Sequence, residues 1–157
     1  MDINHPVAAI RQPNLNDCWA TCAAMVLGLN GLSGVAEVKR RAHGVPLYPT
    51  GAIRRRSVPT LASRLHLSLQ NLHSPPQALT VEILTRALSR SAAAAFGEYV
   101  YPGVPTSPMH VLLFYRLSGS DTNPMIYFID PYTVGAFNYL MDEFNEGMGS
   151  VDYFLSR

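Results

Sequence analysis

Four residues of this chain could act on one carbonyl group: Gln12, Cys18, His110 and Asp130. Cys18 opens a predicted helix, where unpaired backbone N–H groups and the macrodipole favour negative charge. A thiol there gives up its proton more readily, and the thiolate is the attacking species. His110 and Asp130 fall on the two strands of a predicted hairpin. With the turn centred near Ser120, residues whose numbers sum to 240 face each other, so these two stand directly opposite, Cβ atoms roughly 5 Å apart. A carboxylate beside an imidazole fixes the ring and stabilises its charged form, which a general base for Cys18 requires. Gln12 lies six residues before Cys18, in a segment that Pro13 keeps out of helix. Its amide could donate to an oxyanion beside the Cys18 backbone N–H. Each residue alone has a plainer explanation, since most cysteines are small core hydrophobes. The set points to acyl transfer through a thioester.

The string Gln12-Pro-Asn-Leu-Asn-Asp17-Cys18-Trp19-Ala20, followed much later by His110 and Asp130-Pro131, resembles the papain-like cysteine peptidases. The six-residue step from Gln to Cys, the Asp-Cys pair and the small Ala20 are most similar to the bacteriocin-processing, double-glycine peptidase domains. Cys-Trp-Ala is similar to papain itself and to certain bacterial effector proteases. The resemblance implies Gln12 for the oxyanion hole, Cys18 for attack, His110 for proton transfer and Asp130 for orientation. It also implies a papain-like α+β fold, with the cysteine helix packed on an antiparallel sheet that carries the histidine and aspartate. Trp19 stands where the bacteriocin-processing domains usually have Gly, and so does Met109 just before the histidine. With no transporter attached, the pattern looks more like an effector or toxin domain, and such a domain implies a cognate inhibitor or immunity protein.

The surrounding elements must position these residues. Cys18–Leu27 reads as a helix stopped by Gly28, with N-cap residues in Asn14–Asp17. A second helix is expected from about Gly34 to Ala42. Residues 45–58 read as a long loop carrying Arg54, Arg55 and Arg56, followed by a short helix and a strand near Leu67–Leu72. Thr80 caps a helix lined by Val81, Leu84 and Leu88. Ala93–Tyr101 reads as a strand and Pro102–Pro108 as a loop. The apolar runs 109–117 and 124–129 flank a turn-rich segment, and their unbroken hydrophobicity suits strands covered on both faces. A short helix near Tyr139–Asn145 and a strand near Val151–Leu155 complete an α+β layout over 1–157, a single domain.

Composition narrows the classes. The 157 residues are 48% hydrophobic and 15% charged, with a formal net charge of +1, so nothing in the bulk electrostatics calls for nucleic acid or an acidic membrane surface. No apolar run approaches the roughly 20 residues of a membrane span, and the N-terminus lacks a signal-peptide pattern. A soluble protein is expected, cytoplasmic or else secreted or delivered as an effector, and monomeric by default. Lys39 is the only lysine. Cys18 and Cys22, four apart on one helix, suit free thiols better than a disulfide. The scattered histidines give no zinc spacing, and neither metal nor cofactor is expected.

The partner expected is a protein or peptide substrate. Two other outcomes use the same residues. A glutamine deamidase or transglutaminase would take a side-chain amide as acyl donor. A catalytically silent binding module would keep the fold without turnover. Trp19 is expected to pack under its helix, the arginine run to be a solvated loop, and Asp142, Glu143 and Glu146 to be the wet face of a short helix.

Overall fold

In a computed structural model, residues 1–100 and 109–157 are described. The expected loop Pro102–Pro108 lies outside them. Seven strands form one sheet in which every pairing is antiparallel. They are β1 (Asp2–Asn4), β2 (Ser68–Asn71), β3 (Ala93–Tyr99), β4 (His110–Ser118), β5 (Met125–Asp130), β6 (Gly135–Leu140) and β7 (Gly149–Ser156). The order is β2-β7-β3-β4-β5-β6, and β1 pairs with the far half of β4. The helices are α1 (Cys18–Val26), α2 (Gly31–Arg41), α3 (Val58–Leu65), α4 (Val81–Ala87) and a single turn, α5 (Met141–Glu143), that continues as a wide turn over Phe144–Met148.

Alternation along the strands builds two cores, one on each face. Ala94, Phe96, Val111, Leu113 and Leu155 meet residues of α1, α2 and α3. Ala93, Ala95, Leu112, Phe114, Phe128 and Phe154 meet Leu84, Ala87 and Leu88 around α4, together with Phe144. This double coverage explains why the central strands are apolar without interruption. All nine residues of α1 are buried. Ala20, Cys22, Ala23 and Ala24 keep its surface small, so it lies close on β3 and β4 while α2 covers its other side. A helix apolar on every side is stable only in such a setting.

Most expected elements are present, and three differ. Residues 135–140 form β6 rather than loop and helix, with Gly135–Leu140 paired along the whole of β5. The apolar side chains Phe137 and Tyr139 have period two there, and helix begins only at Met141. The short edge piece β1 carried too few residues to register as a strand. The arginine run is not uniformly solvated: Arg55 bonds Asp152 and Glu98, and Arg54 lies over the Tyr48 ring. Trp19 is buried, as its packing role required. No single helix among the described residues is long and apolar enough to cross a membrane.

Candidate active site

The site forms where α1 and β4 both begin. Asp17 occupies the N-cap position of α1 and its carbonyl accepts from Thr21 N–H, but its side chain makes no capping bond. The carboxylate instead takes the Lys39 ammonium of α2 at 2.7 Å and the Asn14 amide at 2.9 Å. The only lysine in the chain thus fixes the residue before Cys18. Two further bonds tie the 45–54 loop to the same turn: Asn16 Nδ2 donates to Thr50 O, and Trp19 Nε1 to Gly51 O at 3.1 Å.

Cys18 is 7% exposed. Its thiol lies within hydrogen-bond reach of the Val111 backbone, the residue directly after His110, and of the Trp19 and Cys18 backbone at the helix start. Burial pushes the thiol up to about 12, the Asp130 charge pushes the same way, and the backbone groups only partly oppose them. Cys18 in this arrangement is a neutral thiol. Cys22, one turn on, donates to Val111 O at 3.5 Å, and burial raises its pKa as well. Both cysteines are free thiols, as their helical spacing required.

His110 and Asp130 are buried together, 2% and 0% exposed. His110 Nε2 lies 2.9 Å from Asp130 Oδ1, which also accepts from Tyr132 N–H at 2.9 Å. An ionised carboxylate is acceptor-only, so Nε2 carries the proton and a neutral ring keeps its lone pair at Nδ1. Asp130 in turn is held by the tight β5–β6 connection, where Val134 N–H donates to Asp130 O. The Tyr99 ring stands edge-on to the imidazole at 6.4 Å. Across the sheet His110 faces Gly97, where a Cβ would strike the Ser150 carbonyl.

The pairing is not the one expected. Leu113 faces Ile129 and Phe114 faces Phe128, so facing numbers sum to 242 rather than 240, and a bulge follows before Arg116. Continuing that register sets Asp130 opposite Leu112. His110 is therefore its diagonal neighbour, on the same face because the shift equals one full side-chain period.

Gln12 is buried and its backbone N–H donates to Pro131 O at 2.8 Å, which pins it beside the Asp130 turn. Its side-chain Nε2 donates to Asn14 O at 2.9 Å and Leu15 O at 2.8 Å. Both amide hydrogens are therefore committed to the turn before Cys18, and Oε1 is buried without a hydrogen-bond partner among the described residues. Flipping the amide would press Oε1 against two carbonyl oxygens. As placed, Gln12 anchors the turn and has no hydrogen left for an oxyanion.

The structure thus brings Cys18 to the strand position after His110, joins His110 to Asp130, and sets Gln12 against the turn that follows Asp130. Beside Gln12 a groove of ≈ 510 Å³ runs between Arg11, Leu15 and Tyr132, the last two being exposed apolar side chains. No group of three or more His, Cys, Asp or Glu side chains among the described residues could hold a metal ion. Lys39 and Gly97 escaped the sequence reading. The sole lysine was a visible signal, whereas nothing local to Gly97 announces that it faces a histidine.

No protein-family model matches the chain, and no curated protein matches it. The functional reading therefore rests on the geometry and on the residue pattern.

Proposed function

We propose that this chain is a papain-like cysteine peptidase in which Cys18 attacks, His110 accepts its proton at Nδ1, and Asp130 orients the ring. The observation that carries the reading is the buried His110–Asp130 pair at 2.9 Å, one residue from the Val111 backbone that lowers the Cys18 thiol pKa. A buried imidazole is costly unless both of its nitrogens find partners. The thiol begins neutral, so proton transfer to His110 accompanies attack rather than preceding it. The backbone N–H groups of Cys18 and Trp19, which lower the thiol pKa at the helix start, are the donors proposed for the developing oxyanion. His110 then protonates the leaving amine, and water releases the acyl group from sulfur. Gln12 holds the turn that sets the helix start. An effector or toxin role with a protein substrate, and a cognate inhibitor, belongs to the same proposal.

A silent binding module is the second reading, and one observation favours it: the depth at which the thiol is buried. Intact-mass analysis of an unfolded protein substrate separates the possibilities. Cleavage by the wild type that disappears in Cys18→Ala and in His110→Ala is the expected result. A whole substrate carrying the mass change from amide to acid makes the chain a deamidase. An unchanged substrate over a broad panel removes the catalytic reading.

A further inference from the structure

A second polar cavity, of ≈ 370 Å³, lies at the opposite end of α1 from Cys18. Its floor is the corner of the sheet where β2 meets β7. Ser68 stands directly opposite Ser156 and Gln70 opposite Phe154, so the three polar side chains share the face that α4 covers. Its wall is the end of α4 and the residues after it, with Arg86, Ser89 and Arg90. Arg157 completes the rim, its Nε already donated to Val26 O at the end of α1. Among the described residues no acidic side chain lines the cavity.

Three features set it apart from an ordinary basic surface. Arg90 is exposed and makes no ion pair among the described residues, while Arg86 is held only by the exposed i,i+4 partner Glu82 at 3.1 Å. Ser156 is 8% exposed, so a hydroxyl rather than a methyl forms a buried part of the floor. Gln70 Oε1 is buried without a hydrogen-bond partner among the described residues. Leaving an acceptor buried and unpaired is unfavourable by more than a hydrogen bond normally contributes, and such atoms call for a donor.

We infer that this cavity binds a small phosphomonoester that also bears hydroxyl groups, of sugar-phosphate chemistry. The phosphate oxygens lie against the Arg86 and Arg90 guanidiniums, whose forked donors match them, and the Gln70 amide, which lines the cavity, turns its buried Oε1 toward a ligand hydroxyl. A bare anion satisfies the arginines and leaves Gln70 unanswered. A neutral sugar does the reverse. The cavity volume falls in the range of small-ligand sites. The inference is independent of the chemistry at Cys18, which lies at the other end of the helix.

The test is calorimetric titration of the whole chain with ribose 5-phosphate, inorganic phosphate and ribose, at fixed ionic strength because the charged contribution is screened by salt. Ribose 5-phosphate should bind at least about tenfold more tightly than inorganic phosphate, with ribose weakest. Arg90→Gln should weaken both phosphates about tenfold or more. Gln70→Leu should weaken ribose 5-phosphate alone. Both substitutions leave the buried apolar contacts in place, and thermal melts verify folding. Equal binding of ribose 5-phosphate and inorganic phosphate would reduce the cavity to an unspecific anion site and overturn the inference. So would binding that Arg90→Gln leaves unchanged while the loop variant Arg56→Gln lowers it, or no heat at millimolar ligand.

Discussion

His110 and Asp130 are diagonal neighbours across β4 and β5, joined at 2.9 Å although Asp130 stands in register with Leu112. The diagonal leaves the carboxylate at the mouth of the β5–β6 turn, where it accepts from both the imidazole and Tyr132 N–H. Asp130→Asn keeps an oxygen for both and removes the charge. The fold should survive with a small loss of stability while the proposed peptidase turnover falls by up to about 10⁴-fold, since the ring loses its orienting anion. Asp130→Ala strands both donors in a dry site and should lower stability by about 3–5 kcal/mol in urea unfolding. Equal stability of the two variants would mean that the pair is not buried in solution.

The Cys18 thiol gives a pH signature opposite in sense to that of a salt-bridged carboxylate. Its folded pKa is raised from 9.0 to about 12, so the neutral form is favoured in the folded state. That stabilisation is complete below the unfolded pKa and is lost as pH rises from about 9 toward about 12. Cys22, also shifted upward, adds to the loss in the same direction. The alkaline decline in unfolding free energy should therefore be shallower in a Cys18→Ala, Cys22→Ala double variant than in the wild type. Alkylation of Cys18 should be slow at neutral pH and rise only well above the ordinary thiol value of about 8.5. Rapid alkylation below pH 7, abolished by His110→Ala, would show a standing thiolate–imidazolium pair and an arrangement more open than this one.

What the sequence revealed and concealed here follows from the range of each interaction. Helix α1 was legible from Cys18 to its Gly28 stop because capping and periodicity are local. The Thr80 cap, whose side chain accepts from Ile83 N–H, was legible for the same reason. The face shared by His110 and Asp130 was recoverable because strands alternate, but the direct pairing was not. Six turn residues do not determine a register, and the bulge near Tyr115 shifts it again. β6 was missed because Phe137 and Tyr139 lie close to a genuine helical start at Met141. The side-chain bonds of Gln12 and the Lys39–Asp17 pair join segments whose approach depends on the whole packing, so no local pattern records them.

Lys39 provides a direct test of how the start of α1 is held. The Asp17 carboxylate is buried, and without the ammonium it keeps, among the described residues, only the Asn14 amide. Lys39→Met preserves the aliphatic stem and removes the charge, leaving a buried anion short of a partner. A loss of about 1–3 kcal/mol is expected, and hydrogen exchange in the first turn of α1 should speed up. Asp17→Asn in the same background should recover part of the loss, because the uncompensated charge is then gone. A Lys39→Met protein as stable as the wild type would show that the turn is held by Asn14 and the loop contacts alone.

Trp19 joins α1 to the 45–54 loop by one bond, Nε1 to Gly51 O at 3.1 Å, while its ring is buried. Trp19→Phe keeps most of the apolar contact and deletes the donor, so about 1 kcal/mol should be lost. The change should appear as faster proteolysis within 45–54, with the rest of the chain protected. If cleavage there is unchanged, the Asn16–Thr50 bond is sufficient to hold the loop.

Gln12 separates an anchoring role from an oxyanion role most cleanly. Its two amide hydrogens go to Asn14 O and Leu15 O, and its backbone N–H to Pro131 O. An anchor should affect stability first. Gln12→Glu replaces the donor with an acceptor facing two carbonyl oxygens, and should destabilise by about 1–3 kcal/mol. Gln12→Ala should cost less, because no charge is forced into the turn. An oxyanion donor predicts the reverse: stability nearly unchanged in Gln12→Ala and kcat lower by about 10²–10³-fold with KM little altered. Urea unfolding and steady-state kinetics on the same two proteins therefore decide between them. The bonds in place here predict the stability loss, with the oxyanion left to the backbone N–H groups at the start of α1.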